Sequence, residues 1–372
     1  MNFPVDLTTL SAPAQRILDP KAPAPLRQMA ARGIAPGLKP GDTLTVIALL
    51  AEFPDEAIAA VAQATLGKLP APLLNGALSG DLPAGVIDLL ALRYVNDALL
   101  AQKILALPSI APETVADMAS KADEALAEFI ATNEERLLKN PRIIEKLYMN
   151  KATRMSTSDR LIELAVRNGI EVTGIPAFRE AATAIANELI PEPSIEPTPD
   201  DILFKETDAI AERTELAPEE VHHVDEASGE EVVNERALPL HAQIGKMSIS
   251  QKIRRAMLGN SAERMLLVRD SNKLVCTAAV RSPMMQEREI VQISASRSVP
   301  EEVLRLLANS KKWSGLHEVK YNLVSNPRCP FALASKFLSH MHEHELKVLA
   351  KSKNVPGAVA AGARQILQRR KK

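Results

Sequence analysis

Three histidines and two glutamates crowd into His340-Met-His342-Glu-His344-Glu345, the stretch of this sequence with the clearest metal-ligand chemistry. On a helix, His340 and His344 fall on one face, where two imidazoles can grip a zinc ion with help from Glu343 or another segment. A complete site needs more ligands than that face supplies. The alternative is an exposed polar helix start ahead of Leu346, Val348 and Leu349, so no metal and no cofactor is assigned. Adjacent carboxylates occur at Glu134-Glu135, Glu219-Glu220 and Glu230-Glu231. General acid–base work needs carboxyl groups held in a dry, shaped pocket, and most of these lie in a polar segment, as does the pair His222-His223. Cys276 and Cys329 read as small buried hydrophobes; two cysteines exclude a disulfide scaffold and favour a reducing, cytoplasmic setting. No Gly-rich phosphate loop, Gly-x-Ser-x-Gly or His-Glu-x-x-His occurs. The expectation is a chain without catalytic machinery.

Charge carries more information. The formal net charge is only −1, but residues 188–240 hold 3 basic against 16 acidic side chains, and residues 241–372 hold 24 against 9. In the basic stretch Lys252, Arg254, Arg255, Arg264 and Arg269 come early, Lys311 and Lys312 at a turn, and Lys351 and Lys353 at another. Arg369, Arg370, Lys371 and Lys372 form a tail. Over 249–258, Ile249, Ile253 and Met257 share an inward face, which puts Lys252 and Arg255 on the outward one. Such a surface attracts a polyanion: nucleic acid, an acidic protein or lipid, or the chain's own acidic segment, whose tether gives it a high effective concentration. Nucleic-acid recognition lacks support from interleaved aromatics, since the lone Trp313 reads as packing, and no helix-turn-helix or zinc-finger pattern occurs.

The elements that would position these groups are helices. Aromatics make up only 3% of the chain while Ala and Leu abound, a composition suited to close helix packing. Proline recurs at 25, 54, 83, 112 and 141, always 29 residues apart. An apolar residue follows three later, at Ala57, Val86, Val115 and Ile144, and another six later, at Ala60, Leu89, Met118 and Leu147. That spacing predicts helices that carry proline in their first turn. One period leaves room for a second helix, expected over 42–52, 70–78, 97–107 and 124–138. Two helices cannot bury an apolar face alone, so the units must stack; the alternative is a helical bundle with coincidental proline spacing.

The fold class predicted is all-α: an α-solenoid of two-helix repeats in two arrays, residues 1–189 and 241–372, joined by residues 190–240. A helix over 177–189 would cap the first array. The joining segment is rich in Pro and Glu and poor in large apolar residues, which predicts disorder with at most a transient helix over 206–216. Pro300-Glu-Glu-Val-Leu, Pro330-Phe-Ala-Leu and Pro356-Gly-Ala-Val resume the repeat, with Asn272-Lys-Leu-Val in the same register. The longest apolar run, Leu44 to Ala51, is too short for a transmembrane segment, and the first residues lack a signal-peptide pattern.

At Ser325-Asn-Pro327, Val299-Pro300-Glu-Glu-Val-Leu and Asn354-Val-Pro356 the sequence resembles the HEAT-like and leucine-rich-variant class of bacterial helical repeats. The C-terminal half also resembles uncharacterised bacterial proteins. The leucine-rich-variant pattern includes an upstream iron–sulfur cysteine cluster; nothing here matches it, and no cofactor carries over. The resemblance implies packing more than chemistry. Together these features lead to the expectation of a non-catalytic scaffold that binds a protein partner through its basic array, with non-specific nucleic-acid binding as the alternative.

Overall fold

A computed structural model describes residues 3–186, 188–225 and 228–371, without the side chain of Lys371. The fold is all-α: twenty-four α-helices and a single two-stranded ribbon lie among the described residues. No single helix there is long and apolar enough to cross a membrane. The neighbouring helices Glu56–Leu66 and Ala71–Leu78 reach that length only together, and they are bent by 94°. The chain divides into two compact units between Thr153 and Arg154, not at 189.

Proline marks helix starts throughout, by two routes. Pro112 and Pro141 open their helices as first residues, where a missing N–H costs nothing. Pro83, Pro300 and Pro330 instead serve as N-caps, with φ between −55° and −60° and ψ between 133° and 146°. The pyrrolidine ring fixes φ at the value that an extended cap requires, so one residue type serves both positions. Pro54 stands one place further out, ahead of the Asp55 cap of Glu56–Leu66.

In the first unit the Pro40–Ala51 helix is the anchor. Every residue from Thr43 to Ala51 is buried, and Glu56–Leu66, Ala71–Leu78 and Ala84–Arg93 pack on it. From there Ala84–Arg93, Pro112–Lys121 and Pro141–Tyr148 pack in succession, with Ala98–Leu105 against Glu124–Ala131. The helix expected over 124–138 is broken, because the Asn133 side chain accepts the Arg136 N–H and starts a separate helix, Glu134–Lys139.

Side chains also tie helices about 30 residues apart in sequence. Arg93 donates to the Gln63 carbonyl at 2.6 Å and Tyr94 to Leu66 at 2.7 Å. Arg136 reaches the carbonyl of Leu105 at 3.0 Å, and the Asn150 amide those of Ala119 and Ala122 at 2.9 and 2.8 Å. These links span 28 to 31 residues and end on carbonyls in or just after a helix's last turns, where backbone donors run out.

The second unit repeats the device. Asn326 donates to Ser294 and Ser296 carbonyls at 2.9 and 2.8 Å, and Arg370 to those of Met341 and Ser339 at 2.9 and 2.8 Å. Here Ile249–Leu258 packs on Phe178–Ile185, Ser261–Leu267 and Lys273–Arg281, and Lys273–Arg281 on Glu301–Asn309. Glu287–Ala295 packs on His317–Ser325, and the chain closes with Phe331–Leu338 and Glu343–Lys351 against Gly357–Lys371. The helix foreseen as a cap of the first array, observed as Phe178–Ile185, belongs to this unit.

The acidic segment differs most from its expectation. It holds a fifteen-residue helix, Pro199–Arg213, started by a reciprocal capping box of Thr198 and Asp201. A short antiparallel ribbon follows, with His222 opposite Val233 and Val224 opposite Glu231. The composition average concealed a sparse apolar face: Phe204 joins Met155 and Met247 in a buried cluster, and Ala211, Leu216 and Val221 are buried with it on the same segment. Ala186 precedes, and Asp225 ends, the stretches bordering residues 187 and 226–227, which lie outside the described residues.

Truncation of Asn326, which is 3% exposed, to Ala leaves two buried carbonyls without a donor. The expected loss is about 2–4 kcal/mol of unfolding free energy, measured by urea denaturation. Asn322→Ala, at a half-buried position on the same helix, should cost less.

Candidate functional site

The early cations of the basic stretch lie inside the second unit. Ile249–Leu258 begins with a capping box between Ser248 and Gln251, then buries everything from Ile253 to Met257. The wheel that set Lys252 and Arg255 outward assumed a helix with one packed side. This helix is covered on several, and its polar side meets the acidic segment.

Arg255 is fully buried: its guanidinium donates to Glu263 at 2.6 Å and to Asp208 at 2.8 Å. Arg254 is equally buried and donates to the Arg154 carbonyl at 3.3 Å. Both guanidinium groups lie over the Phe204 ring, at 4.9 and 5.0 Å from its centroid. Arg264 grips Glu289 through two 3.0 Å bonds and the Gly259 carbonyl through a third at 2.7 Å. Lys252 pairs with Asp270 at 2.9 Å. These contacts correct the reading of Lys252, Arg254, Arg255 and Arg264 as a free polyanion-binding face, because buried charges persist only when paired and hydrogen-bonded.

Arg269 is held in the same way, and its partner comes from the ribbon. Its guanidinium donates to Glu231 at 3.0 Å, to Ser298 at 2.9 Å and to the Met265 carbonyl at 2.8 Å. Glu231 also accepts from the Ser296 and Ser298 hydroxyls, at 2.7 and 2.8 Å, and from the Arg297 N–H at 2.9 Å. Burial opposes the Glu231 charge but is outweighed by these donors, which hold the carboxyl down at about 2. Beside the pair lies a small polar cavity of about 270 Å³, lined by His222, His241, Lys252 and Asp270 among others. Burial, with the Arg269 charge adding to it, holds His222 neutral by lowering its pKa to about 3. Its buried Nδ1 has no hydrogen-bond partner.

The later cations are placed differently. Lys311, Lys312, Lys351, Lys353 and Arg369 are exposed, with Lys312 lying 3.9 Å from the centroid of the Trp313 ring. Trp313 itself is buried. Arg370 is exposed, but its guanidinium donates to two carbonyls 29 and 31 residues earlier, those of Met341 and Ser339. The Lys371 side chain and Lys372 lie outside the described residues.

The histidine cluster is real but differently composed. His340 turns to the Lys336 carbonyl at 3.2 Å. The group assembled by the fold is His317, His342 and Glu345, whose nearest ligand atoms all lie within 4.8 Å of one another. His342 is the N-cap and Glu345 the third residue of Glu343–Lys351, and the Glu345 carboxylate accepts the His342 N–H at 2.7 Å. His317 opens the helix His317–Ser325, and its Nε2 lies 2.7 Å from the other Glu345 oxygen. The His317 and His342 rings sit 4.5 Å apart, and His344 stacks on His342 at 5.7 Å. Sequence reading singled out His342 and Glu345 and missed His317; the available signal was its distance of 28 residues from Glu345, the separation also spanned by the Tyr94–Leu66 and Asn150–Ala122 bonds.

Neither cysteine presents a nucleophile: both are buried, and burial raises both thiols, Cys329 to about 11. No protein-family model, curated protein or solved structure matches the chain.

A carboxyl held below its unfolded value stabilises the fold above about pH 4.5 and loses that contribution as pH falls toward 2. Glu231→Gln should therefore cost about 1–3 kcal/mol at pH 7, with the gap to the parent closing as the urea midpoint is followed down to pH 3. Asp159 has the opposite sign. Burial raises it to about 7, with the Ser250 hydroxyl and the Arg254 charge pulling it back, so the folded chain disfavours its ionised form. Stability from this group is greatest below about pH 4 and falls as pH rises through 7. Asp159→Asn should match the parent at pH 4 and exceed it in thermal midpoint at pH 8.

Proposed function

We propose that this chain is a non-catalytic helical-repeat scaffold that binds an acidic face of a protein partner through exposed cations late in its basic half. Each of its units is read as a HEAT-like solenoid of two-helix repeats. The observation that carries the reading is the division of the basic residues. Lys252, Arg255, Arg264 and Arg269 are neutralised internally by Asp208, Glu231, Glu263, Asp270 and Glu289, whereas Lys311 and Lys312 at a turn, Lys351 at a helix end and Lys353 just beyond it remain exposed.

The side-chain links between consecutive repeats support the solenoid part, since a stack of such units offers a long series of turns along one chain. The same division weakens the nucleic-acid alternative. Phosphate binding draws on many free cations at once, and four of the candidates are held in ion pairs with carboxylates. Lys312 also covers a face of the only tryptophan. A cytoplasmic setting belongs to this reading, in keeping with two free, buried cysteines.

The test uses the full chain and a variant in which Lys311, Lys312, Lys351 and Lys353 are all replaced by Glu. Crosslinking in the native cell, read by mass spectrometry, is expected to join a defined partner to the parent chain and to lose at least nine-tenths of that product with the variant, whose thermal midpoint should be unchanged. Duplex DNA should bind weakly to the parent at both 50 and ~200 mM salt. Tight duplex binding that collapses between those salt concentrations would overturn the scaffold reading in favour of nucleic acid.

A further inference from the structure

We propose that His317, His342 and Glu345 form a binding site for a divalent transition-metal ion of the zinc type, one that clasps two consecutive repeats of the second unit. The donor set is two imidazoles and one carboxylate, which suits zinc and its first-row neighbours far better than calcium or magnesium, whose sites are built from oxygen. Three protein donors leave a fourth position for water, as in open zinc sites.

The geometry requires little adjustment. The three ligand atoms lie within 4.8 Å of one another, while donors at about 2.0–2.2 Å from a tetrahedral ion stand roughly 3.3–3.6 Å apart. His342 is exposed and precedes the first turn of its helix, so its ring is free to make the inward rotation. Glu345 is positioned from behind: one oxygen is fixed by the His342 N–H at 2.7 Å, which leaves the other, now 2.7 Å from the His317 Nε2, directed at the site. That His317–Glu345 contact is a hydrogen bond between two metal-ligand atoms. With an ion at Nε2, the neutral ring carries its single proton on Nδ1.

The arrangement has a further property that a plain helix cap does not need. Capping requires only Glu345 and the His342 backbone, yet three imidazole rings gather at the spot, with centroids 4.5 Å apart between His317 and His342 and 5.7 Å between His342 and His344. Imidazolium rings that close repel one another, whereas neutral rings around a cation do not. The ligands also come from two helix starts, His317–Ser325 and Glu343–Lys351, so the ion joins segments that otherwise meet there through one hydrogen bond and the contact of the His317 and His342 rings.

The experiment uses the full chain stripped with EDTA and dialysed into chelator-free buffer at pH 7.5. Zinc titrated in a calorimeter is expected to bind at one equivalent and to raise the thermal midpoint by several degrees. Cobalt in place of zinc should give the intense visible absorption of a four-coordinate centre. His317→Ala, His342→Ala and Glu345→Gln should each weaken zinc binding at least tenfold and abolish the cobalt spectrum, with His340→Ala unchanged. Gln retains the capping acceptor and His342 is exposed, so these two variants decide the matter even if His317→Ala fails to fold. Absence of zinc binding in the stripped chain, or binding undiminished in His342→Ala and Glu345→Gln, would overturn the proposal.

Discussion

A helix ends with carbonyl groups that its own backbone cannot satisfy, and a chain of many short helices multiplies that debt with every turn. Here the donors come from far along the chain: an arginine, a tyrosine hydroxyl or an asparagine amide placed 28 to 32 residues later in sequence. Because each such bond needs the later segment to be seated, a helix end and its neighbour's position are settled by one interaction. Asn150 and Asn326 show the arrangement most clearly, each amide bridging two carbonyls 28 to 32 residues earlier. Apolar packing supplies the larger share of the driving force, but it is non-directional. The amide and guanidinium bonds supply the register.

The second unit applies the same economy to charge. Its central helix carries two adjacent arginines into the interior, where they share one aromatic ring and Arg255 meets carboxylates from two other elements. Burying a guanidinium is tolerable only with such partners, and removal of one leaves a cost greater than the pair's net contribution. The acidic segment is therefore a structural component of this unit. Its helix contributes Phe204 and Asp208, its ribbon Glu231, and the residues around them close over cations that would otherwise face water.

Much of the helical grammar was legible in the sequence. Proline at a 29-residue interval located helix starts because its fixed φ fits both a first turn and an N-cap, and the apolar residues three and six places later are buried or half-buried after Pro83, Pro112 and Pro141, whereas Ala57 and Ala60 after Pro54 are exposed. Helix ends were less legible, as at Asn133, where a side-chain cap interrupts what periodicity reads as one helix. The acidic segment was misjudged because an average over fifty residues hides three or four apolar side chains in the right places. The basic face was misjudged for a related reason. A helical wheel assigns sides, but only tertiary structure says how many of those sides are covered, and Arg255 lies on one that periodicity would leave to solvent. Of the histidine cluster, His342 and Glu345 were visible as neighbours, while His317 is brought in from a separate helix by tertiary packing.

The shared seat of Arg254 and Arg255 on Phe204 bears on how this protein can be divided. A fragment cut at His241, the boundary that charge segregation invites, would be separated from Phe204, Asp208 and Glu231 while retaining Arg254, Arg255 and Arg269. It would display guanidinium groups that the intact chain keeps from water. Polyanions would adhere to it strongly, and that affinity would belong to the wound and not to the protein.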